Sequence, residues 1–578
     1  MKRDLDSLSA HSFDLVVIGG GIFGACCAWD AVLRGLSVAL VERADFGGQT
    51  SANCFKMIHG GIRYMQHADI VRVRESCHER SALLRIAPHL VEPLPIAIPT
   101  YGIGKNGKLP LAAGMWGYDA LTLDRNRGIA DPNRRVPFGR FLSRSELLAD
   151  FPGVARANLT GAAVFHDAQM YNPARLVLAF LRSAAERGVA LANYVTAEDL
   201  VIRNGKVEGL VARDGFTDER FTIRAGAVLN AAGPFSETLF KDWLPPAQIG
   251  SRTYSRDACF IVRRRFASRL GIALMGESHD SDAVMARDAR HLFVAPWRDT
   301  SLVGVWHKVH RDDPRDVRVD PSELAAFIAE INGTYPGLDL DIDDVRLWHA
   351  GLLPFGDQTE DGKSFSYGKR SVLIDHASEH GIGGLVSLIG IRYTMGRGDA
   401  ARAVDLLLKG LDRKTARPAT ERLPIYGGDF EIFEDVVSQV RREAPGDMDE
   451  AVARALAHNY GSCFRHVLAN GGTDEEAIRP LGGSTVTAAE IRHAVRDEMA
   501  ITLSDIVFRR TDLGTAGHPG TAALEQATAV AGDEFGWDPR RCADELATVA
   551  ACFPAFPQSS EPQIRAGRGA ELANEAPA

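Results

Sequence analysis

The segment MIHGGIRYMQ combines side chains that can carry out chemistry with a backbone that can approach a ligand closely. His59 can take up or release a proton near neutral pH, and Arg63 and Tyr64 can donate hydrogen bonds to a substrate. Gly60 and Gly61 lie between them and have no side chain to hold a bound ring away. The spacing predicts a site in which these side chains face one ligand, although an ordinary surface turn would use the same two glycines.

A second glycine pattern, earlier in the chain, predicts a bound dinucleotide. Gly19, Gly21 and Gly24 form G-x-G-x-x-G between the apolar run FDLVVIGG and the helical stretch GACCAWDAVLRG, and Glu42 ends the next apolar run, LSVALVE. In such a βαβ unit the glycines allow a tight turn, close approach of a pyrophosphate and packing of the helix on the sheet. The helix N-terminus then faces the phosphates, and the acidic residue accepts hydrogen bonds from a ribose.

Three further segments of small residues favour FAD over a nicotinamide cofactor. GGQTSANCFKMIHGGIRY follows Glu42 almost directly, LNAAGPFS covers residues 229–236, and LIGIRYTMGRG covers residues 388–398. Contacts spread over two thirds of the chain suit one long cofactor that is held along its whole length. A single nicotinamide-binding βαβ domain would not need them.

Length and composition exclude several classes of protein. A chain of 578 residues is too long for one ordinary hydrophobic core, so two or three domains are expected. The net charge of -9 argues against a nucleic-acid-binding protein. Eight cysteines without a C-x-x-C pair predict neither a metal site nor a disulfide framework.

The sequence predicts a cytoplasmic protein. It begins without the apolar segment of a secretory signal, and it has no run of about 18 apolar residues that would span a membrane. Residues 109–123, LPLAAGMWGYDALTL, are apolar and aromatic enough for peripheral contact with the inner face of the cell membrane, and equally for a helix buried under a cap. Nothing in the sequence indicates an oligomeric state.

The pattern of elements predicts an α/β fold. We expect a Rossmann-like FAD-binding domain with an antiparallel-sheet substrate domain, followed by an all-α C-terminal domain. The stretch VTAEDLVIRNGKVEGLVARD predicts a β-hairpin that turns at RNGK. The expected boundaries are 12–100, 155–250 and 345–412 for the FAD-binding domain, 101–154 and 251–344 for the substrate domain, 413–427 for a linker, 428–555 for the helical domain and 556–578 for a disordered tail.

The chain resembles the FAD-dependent glycerol-3-phosphate dehydrogenase family, within the broader group that includes D-amino-acid and glycine oxidases. The stretches that carry the resemblance are DLVVIGGGIFGACCAWDAVLRGLSVALVERADF, TSANCFKMIHGGIRYMQ, RSALLRIAPHLVEPLPIAIP, YNPARLVLAFL, VLNAAGPFS, LFVAPW and EIRHAVRDEMAITLSDIVFRRT. The resemblance implies FAD, an alcohol or polyol substrate, and quinone or oxygen as the electron acceptor. The cofactor contacts that it implies are Gly19, Gly21, Ile22, Gly24, Glu42, Arg43, Thr50, Ser51, Lys56, Ile58, Gly60, Gly61, the backbone of Val195, Ala232, Gly233, Gly390, Ile391, Arg392, Tyr393 and Thr394.

The substrate half departs from the family pattern. Asp257, Ala258, Cys259 and Phe260 stand where the family usually carries Lys-Gly-x-His, and Val305, Trp306 and His307 stand where it carries Thr-Thr-Asp. Leu353 replaces an arginine that is thought to hold the substrate phosphate, and Arg392 replaces a lysine near the flavin. Arginine binds phosphate through a two-pronged fork, whereas leucine supplies no donor. We therefore expect a substrate other than glycerol 3-phosphate.

These residues favour an FAD-dependent dehydrogenase or oxidase that passes a hydride from an alcohol carbon to flavin N5 while a base removes the hydroxyl proton. His307 or His59 is the expected base, with His349 as a third candidate, and Arg63 and Arg392 are expected to orient the substrate. The expected substrate contacts are Arg63, Tyr64, Trp306, His349, Leu353 and Arg392. Three alternatives stay open: a true glycerol-3-phosphate dehydrogenase with a rearranged phosphate site, an amine or amino-acid oxidase, and a flavoprotein kept as a scaffold for a partner.

Overall fold

The computed structural model describes residues 1–102, 107–237, 253–276, 291–358, 365–367, 370–472 and 475–554. Its strands are β1 (Ser12–Phe13), β2 (Leu15–Ile18), β3 (Val38–Val41), β4 (Met57–Ile58), β5 (Val91–Tyr101), β6 (Arg140–Ser143), β7 (Leu159–Met170), β8 (Ala190–Ala192), β9 (Val195–Arg203), β10 (Lys206–Asp214), β11 (Arg220–Ala225), β12 (Val228–Asn230), β13 (Tyr254–Arg263), β14 (Gly271–Met275), β15 (His291–Trp297), β16 (Thr300–His310), β17 (Val345–Gln358), β18 (Phe365–Tyr367), β19 (Val372–Asp375) and β20 (Leu385–Ile389). Its α-helices are α1 (Leu5–Ala10), α2 (Ile22–Leu33), α3 (Ile70–Ile86), α4 (Lys108–Leu121), α5 (Arg144–Asp150), α6 (Pro173–Glu186), α7 (Pro321–Thr334), α8 (His376–His380), α9 (Gly396–Gly410), α10 (Phe433–Glu443), α11 (Glu450–Tyr460), α12 (Phe464–Gly471), α13 (Ala488–Arg496), α14 (Leu503–Asp505), α15 (Thr521–Phe535) and α16 (Pro539–Ala550).

A six-stranded sheet forms the predicted Rossmann-like domain, in the order β19-β20-β12-β2-β3-β8. Every residue of β2 and β3 is buried, as expected of parallel strands covered on both faces. Helix α2 connects these two strands and packs against α6 and α9. The predicted βαβ unit is therefore present, and its glycine-rich turn lies where β2 meets the start of α2.

The predicted hairpin is also present, as the antiparallel pair β9 and β10. Asn204 and Gly205 at its turn both have positive φ angles, 52° and 72°, as a type I′ turn requires. With β1 and β11 the hairpin forms a four-stranded sheet. Its apolar side chains pack in one cluster with those of β2 and β3, so this small sheet covers one face of the six-stranded sheet.

A ten-stranded, mostly antiparallel sheet, which we call the large sheet, confirms the expected antiparallel architecture. Helix α7 packs against one of its faces, the outer face, through an apolar cluster that includes Phe260 and Phe327. The expected domain boundaries need correction here, because β5, β7 and β17 belong to this sheet although their residues were assigned to the FAD-binding domain. An apolar run predicts a strand but does not say which sheet the strand joins.

The C-terminal part is helical, as predicted. Residues 413–432 contain neither helix nor strand, and helices α10 to α16 follow them. Buried ion pairs attach this part to the Rossmann-like domain: Arg175 Nη1 lies 2.5 Å from Glu498 Oε2, and Arg510 Nη1 lies 2.6 Å from Asp45 Oδ2. No helix in the described part of the chain is long and apolar enough to cross a membrane. The expected disordered tail, residues 556–578, lies outside the described residues.

Candidate active site

The glycine-rich turn is closely packed against the neighbouring strand. Gly19 has φ +103°, and a Cβ there would lie 2.6 Å from the carbonyl oxygen of Ala231. A Cβ on Gly24 would lie 1.8 Å from the carbonyl oxygen of Gly19. Both positions therefore require glycine, which is the geometry expected where a helix starts directly behind a phosphate-binding turn.

A small hydroxyl residue, Ser51, lies beside the start of α2. Ser51 Oγ accepts a hydrogen bond of 3.0 Å from the backbone N–H of Ile22. A Cβ on Gly21 would meet only Ser51 Oγ within 4 Å, at 3.1 Å. The helix N-terminus and the serine together form a cradle that suits the pyrophosphate of a dinucleotide.

Glu42 is fixed at the end of β3 by backbone donors. Its carboxylate accepts N–H groups from Gly20 at 2.7 Å and Ala44 at 3.0 Å, and its carbonyl oxygen accepts the N–H of Val195 at 2.8 Å. Burial raises the pKa of this carboxyl group above its usual value. The guanidinium carbon of Arg43, the next residue, lies 3.4 Å from the ring centroid of Phe235. Four predicted cofactor segments thus converge on this edge of the six-stranded sheet, which is where a dinucleotide would lie.

Packing requires glycine at both positions of the Gly60-Gly61 pair, independently of any ligand. A Cβ on Gly60 would lie 2.1 Å from Arg80 Nη1 and 2.4 Å from the hydroxyl oxygen of Tyr118, because the buried guanidinium fills the space behind the chain. Gly61 has φ +81°, and a Cβ there would lie 2.9 Å from Ser76 Cβ. The pair therefore lets the chain lie flat against α3 and α4, and the surface it presents on the opposite side carries no side chain.

His59 is anchored beside this surface by a buried carboxylate. Asp167 Oδ2 lies 3.1 Å from His59 Nδ1, and Asp167 Oδ1 accepts the Gly60 N–H at 2.6 Å. The backbone N–H of His59 donates to Thr394 Oγ1 at 3.1 Å, which joins this segment to the predicted 390–394 segment. Burial alone would raise the pKa of Asp167, but the hydrogen bond from His59 and the charge of Arg80 hold it below its usual value. The imidazole is therefore oriented by an ionised carboxylate while its side chain stays half exposed.

Arg392 lies on the same wall. Its Nη1 donates to the hydroxyl groups of Tyr64 at 3.2 Å and Ser76 at 3.0 Å. Both of these hydrogen-bond partners are neutral hydroxyl groups. The backbone of Arg63 belongs to the turn Ile62–His67, and its side chain lies outside the described part of the structure.

The opposite wall is the inner face of the large sheet. A Cβ on Gly351 of β17 would lie 2.9 Å from Thr50 Cγ2, so this face covers the segment that follows Glu42. Asp257 pairs directly with Gly351 and with His307, and paired residues on adjacent strands share a face. Asp257 Oδ1 lies 2.7 Å from His307 Nδ1 and accepts a bond of 2.5 Å from the Ser255 hydroxyl. His307 is therefore an oriented imidazole on the inner face.

Leu353 lies on the inner face as well, two residues after Gly351 on β17 and paired with Ser255. It is half buried. An apolar side chain at this position supplies no hydrogen-bond donor to the inner face.

Two predicted substrate contacts are placed elsewhere. Trp306 lies on the outer face, where its indole N–H donates to Glu323 and its ring stacks on Phe327 at 4.6 Å. This corrects the expectation that it lines the substrate pocket, and the reason is the alternation of side chains along β16. His349 is on the inner face but lies buried behind the 48–56 segment, where Nδ1 contacts Asn53 Oδ1 at 3.1 Å.

Lys56 also differs from the expectation of a cofactor contact. It is 2% exposed, and its ammonium donates to the carbonyl oxygen of Cys54 at 3.3 Å and lies 4.9 Å from the ring centroid of Trp297. Burial lowers the pKa of this amine. Lys56, Trp297 and His349 are among the residues that line a cavity between the 48–56 segment and β17.

The other predicted cofactor residues occupy structural positions around the crevice. Thr50 Oγ1 donates to the carbonyl oxygen of Leu352 at 3.3 Å, and the Tyr393 hydroxyl donates to the carbonyl oxygen of Pro173 at 2.8 Å. A Cβ on Gly390 would lie 2.0 Å from the ring of Phe23, so this glycine is required by packing on α2. The remaining predicted positions are Ile58, which is buried in the core of the Rossmann-like domain, Ala232 and Gly233 after β12, and Ile391 next to Arg392.

The sequence interpretation missed the two carboxylates that orient the histidines. Asp167 lies inside the buried strand β7, and an acidic residue in the middle of an apolar strand is a signal that could have indicated a partner. Asp257 was noted only as a departure from a family pattern, because pairing between β13 and β16 cannot be read from one sequence. Among the described residues, no three His, Cys, Asp or Glu side chains are grouped as metal ligands.

Comparisons with known proteins agree with this geometry. A family model described as "FAD dependent oxidoreductase" matches residues 14–391, and one described as "C-terminal domain of alpha-glycerophosphate oxidase" matches residues 418–542. The chain is 29% identical over 554 residues to a glycerol-3-phosphate dehydrogenase of Synechocystis sp., covering 94% of this chain and 97% of the relative. It is 31% identical over 567 residues to the mitochondrial glycerol-3-phosphate dehydrogenase of Bos taurus, covering 94% of this chain and 73% of the relative. The solved structure of the glycerol-3-phosphate dehydrogenase from Bacillus halodurans complexed with FAD matches with a TM-score of 0.73 and 25% identity, covering 94% of this chain and 95% of that one.

Proposed function

Since this chain belongs to the family of FAD-dependent oxidoreductases, with glycerol-3-phosphate dehydrogenases among its relatives, we propose that it oxidises the CH–OH group of a small alcohol or polyol. FAD is its cofactor, and it supplies the hydride acceptor when bound. The turn at Gly19, the cradle at Ser51 and the carboxylate of Glu42 fit the phosphates and ribose of that cofactor.

The observation that carries this proposal is the orientation of His59 by Asp167. Both oxygens of the buried carboxylate hold the segment, one through the imidazole and one through the backbone of Gly60. An imidazole fixed beside a flat, side-chain-free surface is placed to take the hydroxyl proton as the carbon loses its hydride. We assign His59 as the base and His307, on the opposite wall, as a residue that holds the substrate hydroxyl groups.

The proposed substrate differs from glycerol 3-phosphate. Arg392, bonded to two neutral hydroxyl groups, supplies one guanidinium to the pocket, and Leu353 on the inner face supplies no donor. A phosphate dianion is held best by several cationic donors, so this wall favours a neutral or singly charged substrate. Glycerol 3-phosphate itself is the second candidate, because the named relatives act on it and Arg392 would bind part of its phosphate.

An anaerobic screen of flavin reduction tests this proposal. Purified holoenzyme is mixed with polyols, sugars, glycerol 3-phosphate, other polyol phosphates and amino acids, and flavin bleaching is followed, with dithionite as the positive control. Bleaching by an unphosphorylated polyol supports the proposal, while fast bleaching by glycerol 3-phosphate alone establishes the second candidate. Bleaching by amino acids would reassign the protein as an amino-acid oxidase, and a flavin reduced by dithionite alone would favour a scaffold role.

We propose quinone or oxygen as the electron acceptor. If the acceptor is quinone, the protein binds to a membrane surface. Trp116, Leu123 and Phe138 are 69%, 71% and 59% exposed, and Ile70 and Val71 are 50% and 58% exposed. Contacts bring their elements together: Arg74 of α3 bonds to the Leu121 carbonyl oxygen at 2.5 Å, and the Arg125 guanidinium lies 4.2 Å from the Phe138 ring centroid. Exposed aromatic and aliphatic side chains beside arginines suit the interfacial region of an anionic bilayer.

Vesicle co-sedimentation tests this surface. The double variant Trp116→Ser, Leu123→Ser is expected to lose most of its binding to anionic lipid vesicles. Phe216→Ser is the matched control, because Phe216 is 50% exposed in the turn between β10 and β11. Wild-type protein that stays in the supernatant with anionic vesicles would exclude the membrane contact.

A further inference from the structure

A buried arginine contacts the carboxylate that holds His59. Arg80 of α3 is 0% exposed, and its Nη1 donates to the carbonyl oxygen of His166 at 2.6 Å and to the Tyr118 hydroxyl at 3.1 Å. The same nitrogen lies 3.5 Å from Asp167 Oδ1, while Asp167 Oδ2 lies 3.1 Å from His59 Nδ1. The guanidinium and the imidazole therefore contact one carboxylate at its two oxygens.

Other residues fix the chain at Gly60, so the charge of Arg80 is not needed for that. The Gly60 N–H donates to Asp167 Oδ1 at 2.6 Å. Its carbonyl oxygen accepts bonds from the Cys77 thiol at 2.9 Å and from the Tyr118 hydroxyl at 3.1 Å. All three hydrogen bonds are made by groups outside residue 80. An uncharged polar side chain at this position would therefore change the electrostatics of the site more than the path of the chain.

Three titratable residues that contact Arg80 are neutral near pH 7. Burial raises the pKa of the Cys77 thiol and, well above its usual value, the pKa of the Tyr118 hydroxyl. Burial and the charge of Arg80 lower the pKa of His166 to about 4. These neighbours therefore neither add to the charge of the guanidinium nor cancel it.

Arg80 acts against Asp167 on the charge of His59. Among the described residues, Asp167 has two basic side chains within 4 Å, and these are Arg80 and His59. An ionised carboxylate only accepts hydrogen bonds, so a neutral His59 ring carries its proton on Nδ1 and a lone pair on Nε2. The negative charge of Asp167 favours a second proton on the ring, and the positive charge of Arg80 opposes it.

We propose that Arg80 is a positioning residue that acts through Asp167, and that its charge keeps Nε2 of His59 free to accept a proton near neutral pH. Interacting groups titrate as a pair. Removal of the positive charge beside them makes the pair retain its proton to higher pH, whichever of the two carries it. Use of this proton acceptor in alcohol oxidation rests on the function proposed above, whereas the titration of the pair does not.

Acylation by diethyl pyrocarbonate measures this titration without a substrate. The reagent reacts with neutral imidazole, and the side chain of His59 is 52% exposed. The holoenzyme is treated over a series of pH values, and acylation of the peptide that contains His59 is followed by mass spectrometry. In Arg80→Gln, which keeps a hydrogen-bond donor and loses the charge, we expect the midpoint of the acylation rate to rise by about one pH unit or more.

Two further variants separate charge from packing. Arg80→Lys restores the charge and is expected to return the midpoint toward that of the wild type. Arg134→Met removes another buried arginine, which pairs with Glu92 at 2.8 Å, and should leave the midpoint unchanged. An unchanged midpoint in Arg80→Gln, an equal rise in Arg134→Met, or the same midpoint in the lysine and glutamine variants would overturn the proposal.

The pH dependence of flavin reduction distinguishes a failure of this proposal from a failure of the proposed function. Single-turnover reduction is measured with the compound that bleaches the flavin fastest in the anaerobic screen. If His59 is the base, the acidic limb of the rate profile rises with the acylation midpoint in Arg80→Gln and is absent in His59→Asn. A midpoint that rises while the limb stays in place would support the role of Arg80 and contradict His59 as the base.

A charge-balanced variant provides a second test if Arg80→Gln gives no folded holoenzyme. The double variant Arg80→Gln, Asp167→Asn leaves neither charge buried without its partner, and it is compared with Asp167→Asn alone. The acylation midpoint of His59 should lie at higher pH in the double variant, because only the single variant keeps the positive charge. Equal midpoints in these two proteins would overturn the proposal.

Discussion

At the scale of single residues, the two histidines of the crevice lie on opposite walls and each is held by its own aspartate. His59 Nδ1 lies 3.1 Å from Asp167 and His307 Nδ1 lies 2.7 Å from Asp257. The sequence names both histidines as candidate bases but gives no reason to separate their roles. The geometry does, because the backbone N–H of His59 donates to Thr394, in a segment that is predicted to contact the cofactor.

Replacement of each histidine by asparagine separates the roles. His59→Asn is expected to slow flavin reduction at saturating substrate by about 10²–10⁴-fold, the usual contribution of a general base. His307→Asn is expected to raise the substrate concentration needed for half-maximal reduction by about tenfold, with a smaller change in the limiting rate. Stopped-flow measurement of single-turnover reduction checks both values, with flavin content as the control. The opposite pattern would make His307 the base.

Gly60 provides a prediction about stability at the same scale. Gly60→Ala would bring a Cβ within 2.1 Å of the buried Arg80 Nη1, so we expect a loss of about 1–3 kcal/mol in the free energy of unfolding. Gly114→Ala is the control, since a Cβ there meets nothing within 4 Å and the residue lies inside α4. That change should raise stability by up to about 1 kcal/mol. Denaturant titration of both variants measures the difference, and equal midpoints would contradict the role of Arg80.

At the scale of elements, the sequence predicts structure that depends on residues close together in the chain. It does not predict which strands pair when they are far apart in the chain. The turn at Gly19, the helix after it and the Asn204-Gly205 hairpin follow from chain-local chemistry, and all three are present. Pairing between strands distant in sequence is not local, so the membership of β5 and β7 in the large sheet was missed. The same limit misplaced Trp306, because the face that a side chain occupies depends on which strand lies beside it.

Helix α13 has a buried capping residue, Glu490, whose titration makes the free energy of unfolding depend on pH. Glu490 accepts the Thr487 N–H at 2.8 Å, and burial raises its pKa from 4.5 to about 8. Between these two values the folded protein retains a proton that the unfolded chain releases, so the free energy of unfolding falls as pH rises through this window. The contribution is fully present below pH 4.5 and is lost above pH 8.

Glu490→Gln keeps a side-chain oxygen that can accept the Thr487 N–H, but it removes the carboxyl group that titrates. We expect the variant to be more stable than wild type at pH 8 by about 1–3 kcal/mol, the cost of an unsatisfied buried polar group, and similar to it at pH 5. Urea denaturation at several pH values measures the two profiles. Glu146→Gln in the exposed capping box of α5 is the control, and it should leave the profile of the wild type unchanged above pH 5. Parallel profiles for Glu490→Gln and wild type would show that Glu490 is ionised when folded.

At the scale of the whole molecule, the buried carboxylate of Asp45 is one of the groups that attach the C-terminal helices to the Rossmann-like domain. Asp45 accepts hydrogen bonds from Arg509 at 2.5 Å and from Arg510 at 2.6 Å and 2.7 Å, and it lies three residues after Glu42. Although burial opposes ionisation, the two guanidinium groups hold the pKa of Asp45 far below its usual value. The segment that contains both arginines carries part of the family resemblance. The sequence did not indicate that this segment binds Asp45.

Asp45→Asn is expected to destabilise the protein by about 3–5 kcal/mol, because two buried guanidinium groups lose their counter-charge. FAD should be released at a lower temperature than in wild type, since Glu42, which we propose binds the ribose, lies three residues earlier in the chain. Thermal unfolding followed by flavin fluorescence and by circular dichroism measures both effects. Asp405→Asn removes a carboxylate that is 42% exposed and pairs with Arg34 and Arg417, and it should cost less than about 1 kcal/mol because Arg34 keeps its pair with Asp30. An Asp45 variant no weaker than this control would contradict the assignment.

His59 makes hydrogen bonds to both sides of the crevice. The two residues before it pair with β7 of the large sheet, its ring bonds to Asp167 on that same strand, and its backbone bonds to Thr394 beside the six-stranded sheet. A hinge motion that moved the two sheets apart would have to break one of these attachments and displace His59. We therefore expect the two sheets to keep their spacing at this point while substrate enters and product leaves.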